Sequence, residues 1–366
     1  MRNRSIMTEE QKEEQKEEKA KIGTVGGEAL MEGIMMRGPK GAAMSLRLPD
    51  GSIETTIKKT KTPAEKHKIL GWPLIRGPVS FVYSMVFGYK CMMESAEKTA
   101  LDGLDDDPEQ MSRLDRWLME KLGDKMMMIV GILGTVLGVA LALGLFIWVP
   151  TVLTRWLVPE SLARFYALIS GLMRVALFVG YMFFMSLIKD IRRVFQYHGA
   201  EHKSIFCYEN GLPLTVENVK AQSRLHPRCG TSFLFVMILL SIVLTSAVNA
   251  IWPGLATINW VQITIKVLQF PLIMAFGYEF IRFAGRHLKN PFVRAVSTPG
   301  LLMQRITTKE PDDEIIEVGI EALKAALGMP YQARIPSKNA AAEESEEESH
   351  DDDPAGDSEG AEAITQ

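Results

Sequence analysis

Two histidines and one glutamate stand at a spacing that suits a metal ion. Residues 197–203 read YHGAEHK, so His198, Glu201 and His202 form an H-x-x-E-H pattern. On a helix, residues four apart lie on one face, and both imidazoles can reach the same divalent ion. Glu201 could then hydrogen-bond a metal-bound water and serve as general base. The spacing leaves a second interpretation open, in which the histidines form a structural hydrogen-bond network.

A third ligand is needed, because two imidazoles alone do not make a tight metal site. Residues 226–230 read HPRCG and follow in the same loop, so they offer the imidazole of His226 and the thiol of Cys229. Nitrogen and sulfur ligands of this kind favour zinc, which is the divalent metal we expect here. The next candidates, should neither residue reach the pair, are Glu28, Glu32, Glu279 and His287.

Long apolar stretches on both sides of this motif decide the class of protein. The composition, 47% hydrophobic and 23% charged, fits soluble and membrane proteins alike, but the charges crowd into the first 125 residues, the stretch 189–230 and the last 85 residues, which leaves long apolar stretches between them. A transmembrane helix needs about 20 apolar residues. We therefore predict an α-helical polytopic membrane protein with about four transmembrane helices in a domain at 126–281. The expected spans are 126–149, 165–188, 231–251 and 261–281, with a turn at Trp252-Pro253-Gly254 between the last two.

One charged residue lies within the second predicted span. Arg174 is the only charged residue between positions 165 and 188. A charge that faces lipid at that depth costs a few kcal/mol. We therefore expect Arg174 to face the interior of the helix bundle or to be paired there.

The distribution of Lys and Arg predicts how the spans are oriented. The loop at 189–230 and the segment after the last span are rich in Lys and Arg, whereas the loop between the third and fourth spans has none. By the positive-inside rule, the loop at 189–230 and both termini are predicted to be cytoplasmic. Three cysteines without paired spacing fit a reducing compartment, and the charged N-terminus lacks the apolar core of a cleavable signal peptide.

The region before the first span, 22–125, is expected to be a small cytoplasmic α+β element. Residues 43–58 alternate between apolar and polar types around a turn, which predicts a β-hairpin. Residues 70–93 contain too few uncharged residues in a row to cross a bilayer, and favour an interfacial or re-entrant helix. Glu28 and Glu32 lie four apart and would share a face if their segment were helical.

The region after the last span, 282–330, is predicted to be cytoplasmic as well. An amphipathic helix begins near Pro311 and the acidic residues behind it, carries an apolar stripe, and ends at Gly328. We expect this helix to dock on the cytoplasmic side. The charged segments 1–21 and 331–366 contain too few apolar residues to pack and are predicted to be disordered.

Several segments together carry a specific resemblance. GGEALMEGIMMRGP occupies 26–39, YHGAEHK 197–203, HPRCGTSF 226–233 and STPGLLMQ 297–304, with Thr307-Thr308 behind the last. These segments resemble the YqhQ-like family of bacterial membrane proteins, which are described as predicted metal-dependent enzymes. The resemblance covers roughly residues 22 to 330. It implies a protein of the bacterial cytoplasmic membrane with a metal site, and it supplies no substrate.

Two functions fit these observations. The first is a membrane-embedded metal-dependent hydrolase, in which Glu201 and the ion activate a water molecule at the cytoplasmic membrane face. The second is a non-catalytic scaffold or assembly factor whose histidines hold loops together or bind a structural metal. A transporter is a weaker third interpretation, because the four spans show no visible repeat. The expected partners are the lipid bilayer and either a substrate or a membrane protein; no nucleic-acid motif is present, so no nucleic acid is expected.

Overall fold

The computed structural model describes residues 23–58, 62–100, 126–252, 259–284, 287 and 290–337. Within these residues the chain is mostly helical, with one antiparallel sheet near its N-terminus, as the sequence predicted. Two segments were expected to be disordered, 1–21 and 331–366; the first, and the second beyond residue 337, lie outside the described residues. Residues 331–337 are described, and they contain the short strand Arg334–Ile335, which pairs with Ile53 and Glu54. The turn expected at Pro253-Gly254 also lies outside the described residues.

Five strands form one sheet: β1 is Gly26–Leu30, β2 is Gly33–Gly38, β3 is Gly41–Arg47, β4 is Ile53–Lys58 and β5 is Arg334–Ile335. They lie in the order β1-β2-β3-β4-β5, and each neighbouring pair is antiparallel. The hairpin expected at 43–58 is the pair formed by β3 and β4. The short strand β5 comes from the far end of the chain and extends the sheet beside β4.

The segment that carries Glu28 and Glu32 is extended, so the two carboxylates do not share a helical face. Glu28 lies in β1, and Glu32 occupies the turn before β2 with a φ of 49°. The segment is extended because β1 pairs with β2, where Glu28 lies opposite Met35. A Cβ atom on Gly33 would lie 2.6 Å from the carbonyl oxygen of Ser45, so glycine is what allows β2 to approach β3 so closely.

Helices make up most of the remainder. The short turns Pro63–Lys66 and Lys68–Gly71 lead to α1 (Arg76–Ala100). Then follow α2 (Met126–Leu143), a π-helical turn at Gly144–Trp148, α3 (Val149–Leu157), a 3-10 turn at Glu160–Phe165 and α4 (Tyr166–Met185). The last helices are α5 (Lys189–Glu209), α6 (Val216–Lys220), α7 (Gly230–Ile251), α8 (Asn259–Ala284), α9 (Pro291–Thr307) and α10 (Asp313–Leu327).

Among the described residues, four helical stretches are long and apolar enough to cross a membrane. In the first two, only 6% of the residues in the most apolar window are buried within the protein, as expected for helices whose surroundings are lipid. The four stretches therefore indicate a membrane protein, as the sequence predicted. They are Leu133–Leu157, Leu168–Met185, Gly230–Val248 and Val267–Ala284.

Arg174, the charge within the second stretch, pairs with a neighbouring helix. Its Nε donates a hydrogen bond of 2.8 Å to the carbonyl oxygen of Phe146. Proline has no N–H, so Pro150 deprives the Phe146 carbonyl of its donor one turn later in the helix. Arg174 thus supplies a missing hydrogen bond to the backbone of the first stretch, at its π-helical turn. This agrees with the expectation that Arg174 is paired within the bundle.

An apolar core joins the sheet, α5 and α10. The Asp312 side chain begins α10 by accepting a hydrogen bond of 2.9 Å from the N–H of Ile315, and Gly328 ends it in the left-handed conformation. The core therefore holds together three parts of the chain. The strands β1 to β4 precede the first candidate span, α5 lies between the second and third, and α10 follows the fourth. The deeply buried members of this core include Ile34, Met36, Tyr197, Ala200, Ile316 and Leu323.

Gly199, inside the H-x-x-E-H pattern, allows the chain after α9 to cross α5 at close range. The N–H of Lys309 donates a hydrogen bond of 2.8 Å to the carbonyl oxygen of Phe195. A Cβ atom on Gly199 would collide with the carbonyl oxygen of Lys309. The glycine that weakens the helix in isolation is thus required by packing.

We predict that Gly199→Ala destabilises the protein. The added methyl group overpacks the contact with Lys309, which costs about 1–3 kcal/mol of unfolding free energy and lowers the apparent melting temperature in detergent. Gly230→Ala is the matched control, because a Cβ atom there would meet no described atom within 4 Å. Equal melting temperatures for the two variants would contradict the packing argument.

Candidate metal centre

Two imidazoles and one thiol converge between α5 and the start of α7. His198 and His202 project from α5, and Cys229 directly precedes α7. One ligand atom from each residue lies within 4.8 Å of the other two, and His198 Nε2 lies 3.1 Å from Cys229 Sγ. In a tetrahedral zinc site, ligand bonds of roughly 2.0–2.3 Å place the ligand atoms about 3.5 Å apart. Small side-chain adjustments would therefore bring all three atoms onto one ion.

Each imidazole is oriented by a backbone carbonyl group. His198 Nδ1 lies 2.8 Å from the carbonyl oxygen of Thr307 at the end of α9, and His202 Nδ1 hydrogen-bonds the carbonyl oxygen of Arg224. A carbonyl oxygen only accepts hydrogen bonds, so each Nδ1 must carry the proton. In the neutral imidazole, Nε2 then offers its lone pair to the centre. Metal-ligating histidines in proteins are commonly oriented in this way.

The surroundings of Cys229 favour its thiolate form. Burial alone would raise the pKa of the Cys229 thiol, but His198 and His202 hold that pKa well below its usual value. Cys229 is also the N-cap of α7, where its sulfur accepts a hydrogen bond of 3.4 Å from the N–H of Thr231. The positive end of a helix dipole favours an anion at that place. Burial lowers the pKa of His198, but the negative charge of Cys229, acting with the other groups beside the ring, outweighs burial and raises that pKa to about 9.

Glu201 lies beside these three groups. Its carboxylate oxygen Oε2 is 3.8 Å from His198 Nε2, and its side chain is buried. Burial raises the pKa of the Glu201 carboxyl, while His202 and His198 act in the opposite direction. The carboxylate fits because β1 has a glycine there: a Cβ atom on Gly27 would lie 2.7 Å from Glu201 Cγ. Strand β1 therefore forms one wall of the centre.

His226, the other predicted ligand, lies next to the centre and faces a different group. Its ring centroid is 5.5 Å from that of His202, and its Nε2 is 3.6 Å from Oε2 of Glu209. Burial lowers the pKa of His226 to about 4, so the ring is neutral at pH 7. Glu209 in turn pairs with Arg228 and accepts a hydrogen bond of 3.0 Å from the N–H of Gly23. Cys229 is thus the member of the HPRCG segment that joins His198 and His202.

Three of the four reserve candidates, Glu279, His287 and Glu32, are engaged elsewhere. Glu279 forms an ion pair with Arg76, in which Arg76 Nε lies 2.6 Å from Oε1. His287 is exposed and stacks on Phe283 at 4.2 Å between ring centroids. Glu32 accepts hydrogen bonds from Arg193 and from the hydroxyl of Tyr197. Glu28 is partly buried under α1, where a Cβ atom on Gly88 would collide with its carboxylate.

Gln304 in α9 positions the loop before α7, a role that the residue spacing did not predict. Its Oε1 accepts a hydrogen bond of 2.7 Å from the N–H of His226. Its Nε2 donates hydrogen bonds of 2.7 Å to the carbonyl oxygen of His226 and to Oγ of Ser232. Gln304 thereby holds the loop on both sides of Cys229. One sequence signal could have indicated this role: Gln304 is a polar residue on the buried face of an amphipathic helix, where a polar group needs a hydrogen-bond partner.

We predict that Gln304→Leu weakens metal binding by about 10- to 100-fold, the usual effect of losing an outer-sphere hydrogen-bond partner. The leucine fills a similar volume but leaves the backbone of His226 without its partner, so Cys229 is held less firmly. Competition with a chromophoric chelator measures the dissociation constant. Gln332→Leu is the control, because Gln332 is exposed. An unchanged affinity in Gln304→Leu would contradict a positioning role.

Comparisons with known proteins agree with the resemblance seen in the sequence. A family model described as a protein of unknown function (DUF1385) matches residues 72–329, which include His198, His202 and Cys229. The uncharacterized protein YqhQ of Bacillus subtilis (strain 168) is 33% identical over 318 residues, which cover 86% of this chain and 96% of that protein. No solved structure matches the chain significantly. The chain belongs to the DUF1385 family, the family of the YqhQ-like proteins.

Proposed function

We propose that this protein is a membrane-bound, metal-dependent hydrolase that holds zinc through His198, His202 and Cys229. The observation that carries the proposal is the convergence of the three ligand atoms within 4.8 Å, with both histidines oriented by backbone carbonyls. Two nitrogens and one sulfur form a ligand set typical of zinc. The donor set and its hydrogen-bonded surroundings together support a metal site better than a purely structural network of histidines.

Three protein ligands leave one coordination position for a water molecule, as in catalytic zinc sites. A bound zinc ion supplies Lewis acidity and makes such a water easier to deprotonate. Glu201 is the group in position to accept the proton, because its carboxylate lies 3.8 Å from His198 Nε2 and stands outside the ligand set. A hydrogen bond from the backbone of Gly27 in β1 favours the charged form of that carboxylate. The proposed reaction is therefore hydrolysis, with Glu201 as general base.

The proposed location is the cytoplasmic face of the bacterial cytoplasmic membrane, with both termini in the cytoplasm. The shared core of the sheet, α5 and α10 supports a topology in which these parts lie on the same side. An even number of crossings between them meets that requirement. The excess of Lys and Arg in the loop at 189–230 supports the cytoplasmic side. The lipid bilayer is the expected surrounding.

A non-catalytic scaffold with a structural metal is the second candidate, and one observation favours it. His202, Cys229 and Glu201 are buried and 13% of the His198 side chain is exposed, so little of the centre is open to solvent. Structural zinc sites are closed, whereas catalytic sites must admit water and substrate. The two candidates therefore differ in whether an added small anion can reach the ion.

We predict that the purified full-length protein, reloaded with Co²⁺ in place of zinc, binds close to one ion per chain and shows a thiolate-to-cobalt charge-transfer band. Cys229→Ser should abolish that band, and His198→Ala or His202→Ala should abolish stoichiometric binding, because each removes one of three ligands. Glu201→Gln should keep the metal but alter the pH dependence of the cobalt spectrum. Azide should perturb the spectrum of the wild type by entering the open position.

His287→Ala is the matched control for the histidine variants, since this exposed imidazole lies outside the ligand set. Absence of stoichiometric metal from the wild type would refute the metal site itself. A cobalt spectrum that responds neither to pH nor to azide would favour the scaffold over the hydrolase.

We predict that a reporter fused after Gln366 or inserted near Asn210 reports the cytoplasm, and that one inserted near Gly254 reports the opposite side. The Lys and Arg asymmetry of the loops is the physical reason. Paired reporters, active on one side of the membrane only, make the measurement. An external signal at Asn210 would move the proposed site to the other face of the membrane.

A further inference from the structure

Helix α1 begins against the candidate membrane spans. Arg76, its first residue, pairs with Glu279 near the end of α8. A Cβ atom on Gly77 would lie 3.0 Å from Cα of Ala275, so the two helices are in close contact there. One turn later, the rings of Phe81 and Phe233 lie 5.8 Å apart. The start of α1 is therefore fixed at the ends of the third and fourth candidate spans.

The second half of α1 covers one face of the sheet. Cys91 is buried in a cluster with residues of β1, β2 and β3. The Ser95 hydroxyl donates a hydrogen bond to the carbonyl oxygen of Met31 in the turn after β1. Lys98 forms an ion pair with Glu54 of β4. Helix α1 thus links the sheet mechanically to the candidate spans.

A third face of α1 has no partner among the described residues. Five large apolar side chains on it are between 46% and 59% exposed. Their spacing of three or four residues places them on one stripe of the helix. Exposed apolar side chains also precede the helix, including Trp72. A stripe of this size is unusual for a surface that meets water. The five residues, here called the α1 stripe, are Val82, Met85, Val86, Tyr89 and Met93.

The packing of the sheet excludes a membrane crossing by α1. Strands β1 and β2 contact α5, where Gly27 meets Glu201 and Glu32 pairs with Arg193. Two candidate spans lie between α1 and α5, so the end of α1 and the start of α5 are on the same side of the membrane. The sheet precedes α1, and it can share that side with α5 only if α1 itself does not cross the membrane. The charge-rich residues 101–125 cannot provide a compensating span. The apolar stripe must therefore be covered without spanning the bilayer.

We propose that the α1 stripe lies in the lipid bilayer, at the boundary between headgroups and acyl chains on the side of the metal centre. The stripe begins at Val82, five residues after Gly77 contacts Ala275 of α8, and next to Ala275 the fourth candidate span carries the exposed Phe276. Trp72 and Tyr89 supply the aromatic residues that prefer this boundary, and the exposed Lys66 and Lys68 can meet anionic headgroups. The polar end of the helix, at Glu97, is exposed to water.

The contact of the α1 stripe with lipid does not depend on the metal centre. Through this contact, α1 attaches the sheet, and with it the β1 wall of the centre, to the membrane surface. The other occupants of an apolar stripe are a second copy of this chain and a different protein. Neither is needed, because the surface next to the stripe already belongs to a helix that meets lipid.

The test places a fluorescent probe on the α1 stripe of the full-length protein in phosphatidylglycerol-containing vesicles. Val86→Cys and, separately, Met85→Cys are labelled with an environment-sensitive dye, and the unmodified protein is treated in parallel, since its three cysteines are buried. Leu268→Cys on α8 is the reference for lipid, and Glu217→Cys on α6 is the reference for water. Quenching by nitroxide-labelled lipid is compared with quenching by aqueous iodide.

We expect both stripe positions to be quenched by the nitroxide lipid about as strongly as Leu268→Cys, and to resist iodide. Quenching by iodide to the level of Glu217→Cys would overturn the proposal, because the stripe would then face water. Protection from both quenchers would also overturn it, because a protein would then cover the stripe. An unchanged melting temperature shows that each labelled variant is folded.

Discussion

The apolar core shared by the sheet, α5 and α10 is the contact on which the rest of the arrangement depends. It joins parts of the chain that pairs of membrane helices separate in sequence. Because α5 buries Tyr197 and Ala200 in this core, its neighbouring face turns His198 and His202 toward the loop before α7 and the end of α9. The hydrophobic effect thus fixes the direction of the imidazoles, although it acts on other residues.

Two carboxylates on α5 show how differently a buried charge can be accommodated. Burial alone would raise the pKa of Glu209, but His226, Arg228 and the N–H of Gly23 lower it to about 2. Glu201 meets the two histidines without an arginine or lysine beside it, and burial raises its pKa. A buried ion costs several kcal/mol unless it is compensated. The Glu209 network therefore stabilises the loop that carries Cys229, whereas the buried Glu201 has no arginine or lysine partner of this kind among the described residues.

Hydrogen bonds to backbone groups orient side chains both at the candidate metal centre and among the candidate membrane spans. The carbonyls of Thr307 and Arg224 orient the imidazoles, and Gln304 holds the backbone of His226. In the bundle, Arg174 meets the Phe146 carbonyl that Pro150 leaves without a donor. Each of these contacts joins segments far apart in the chain. A change in the packing of one helix would therefore displace the side chains of His198, His202 and Cys229.

The sequence by itself determined the local features. Apolar stretches long enough to span predicted the membrane class, because bilayer thickness fixes their length, and the alternation at 43–58 predicted a hairpin. The spacing of His198 and His202 predicted a shared helical face. Family membership also followed from short segments, since these are read directly from the residues.

Only the tertiary structure decided which groups meet. Spacing could not choose between His226 and Cys229, because three residues in a loop can turn either side chain toward α5. It could not show that Glu28 lies in a strand and Glu32 in the turn behind it, because this conformation depends on the pairing of β1 with β2. Gln304 gained its role from a loop 78 residues earlier in the chain. Contacts of this kind depend on how the segments pack together, which no local pattern of residue types encodes.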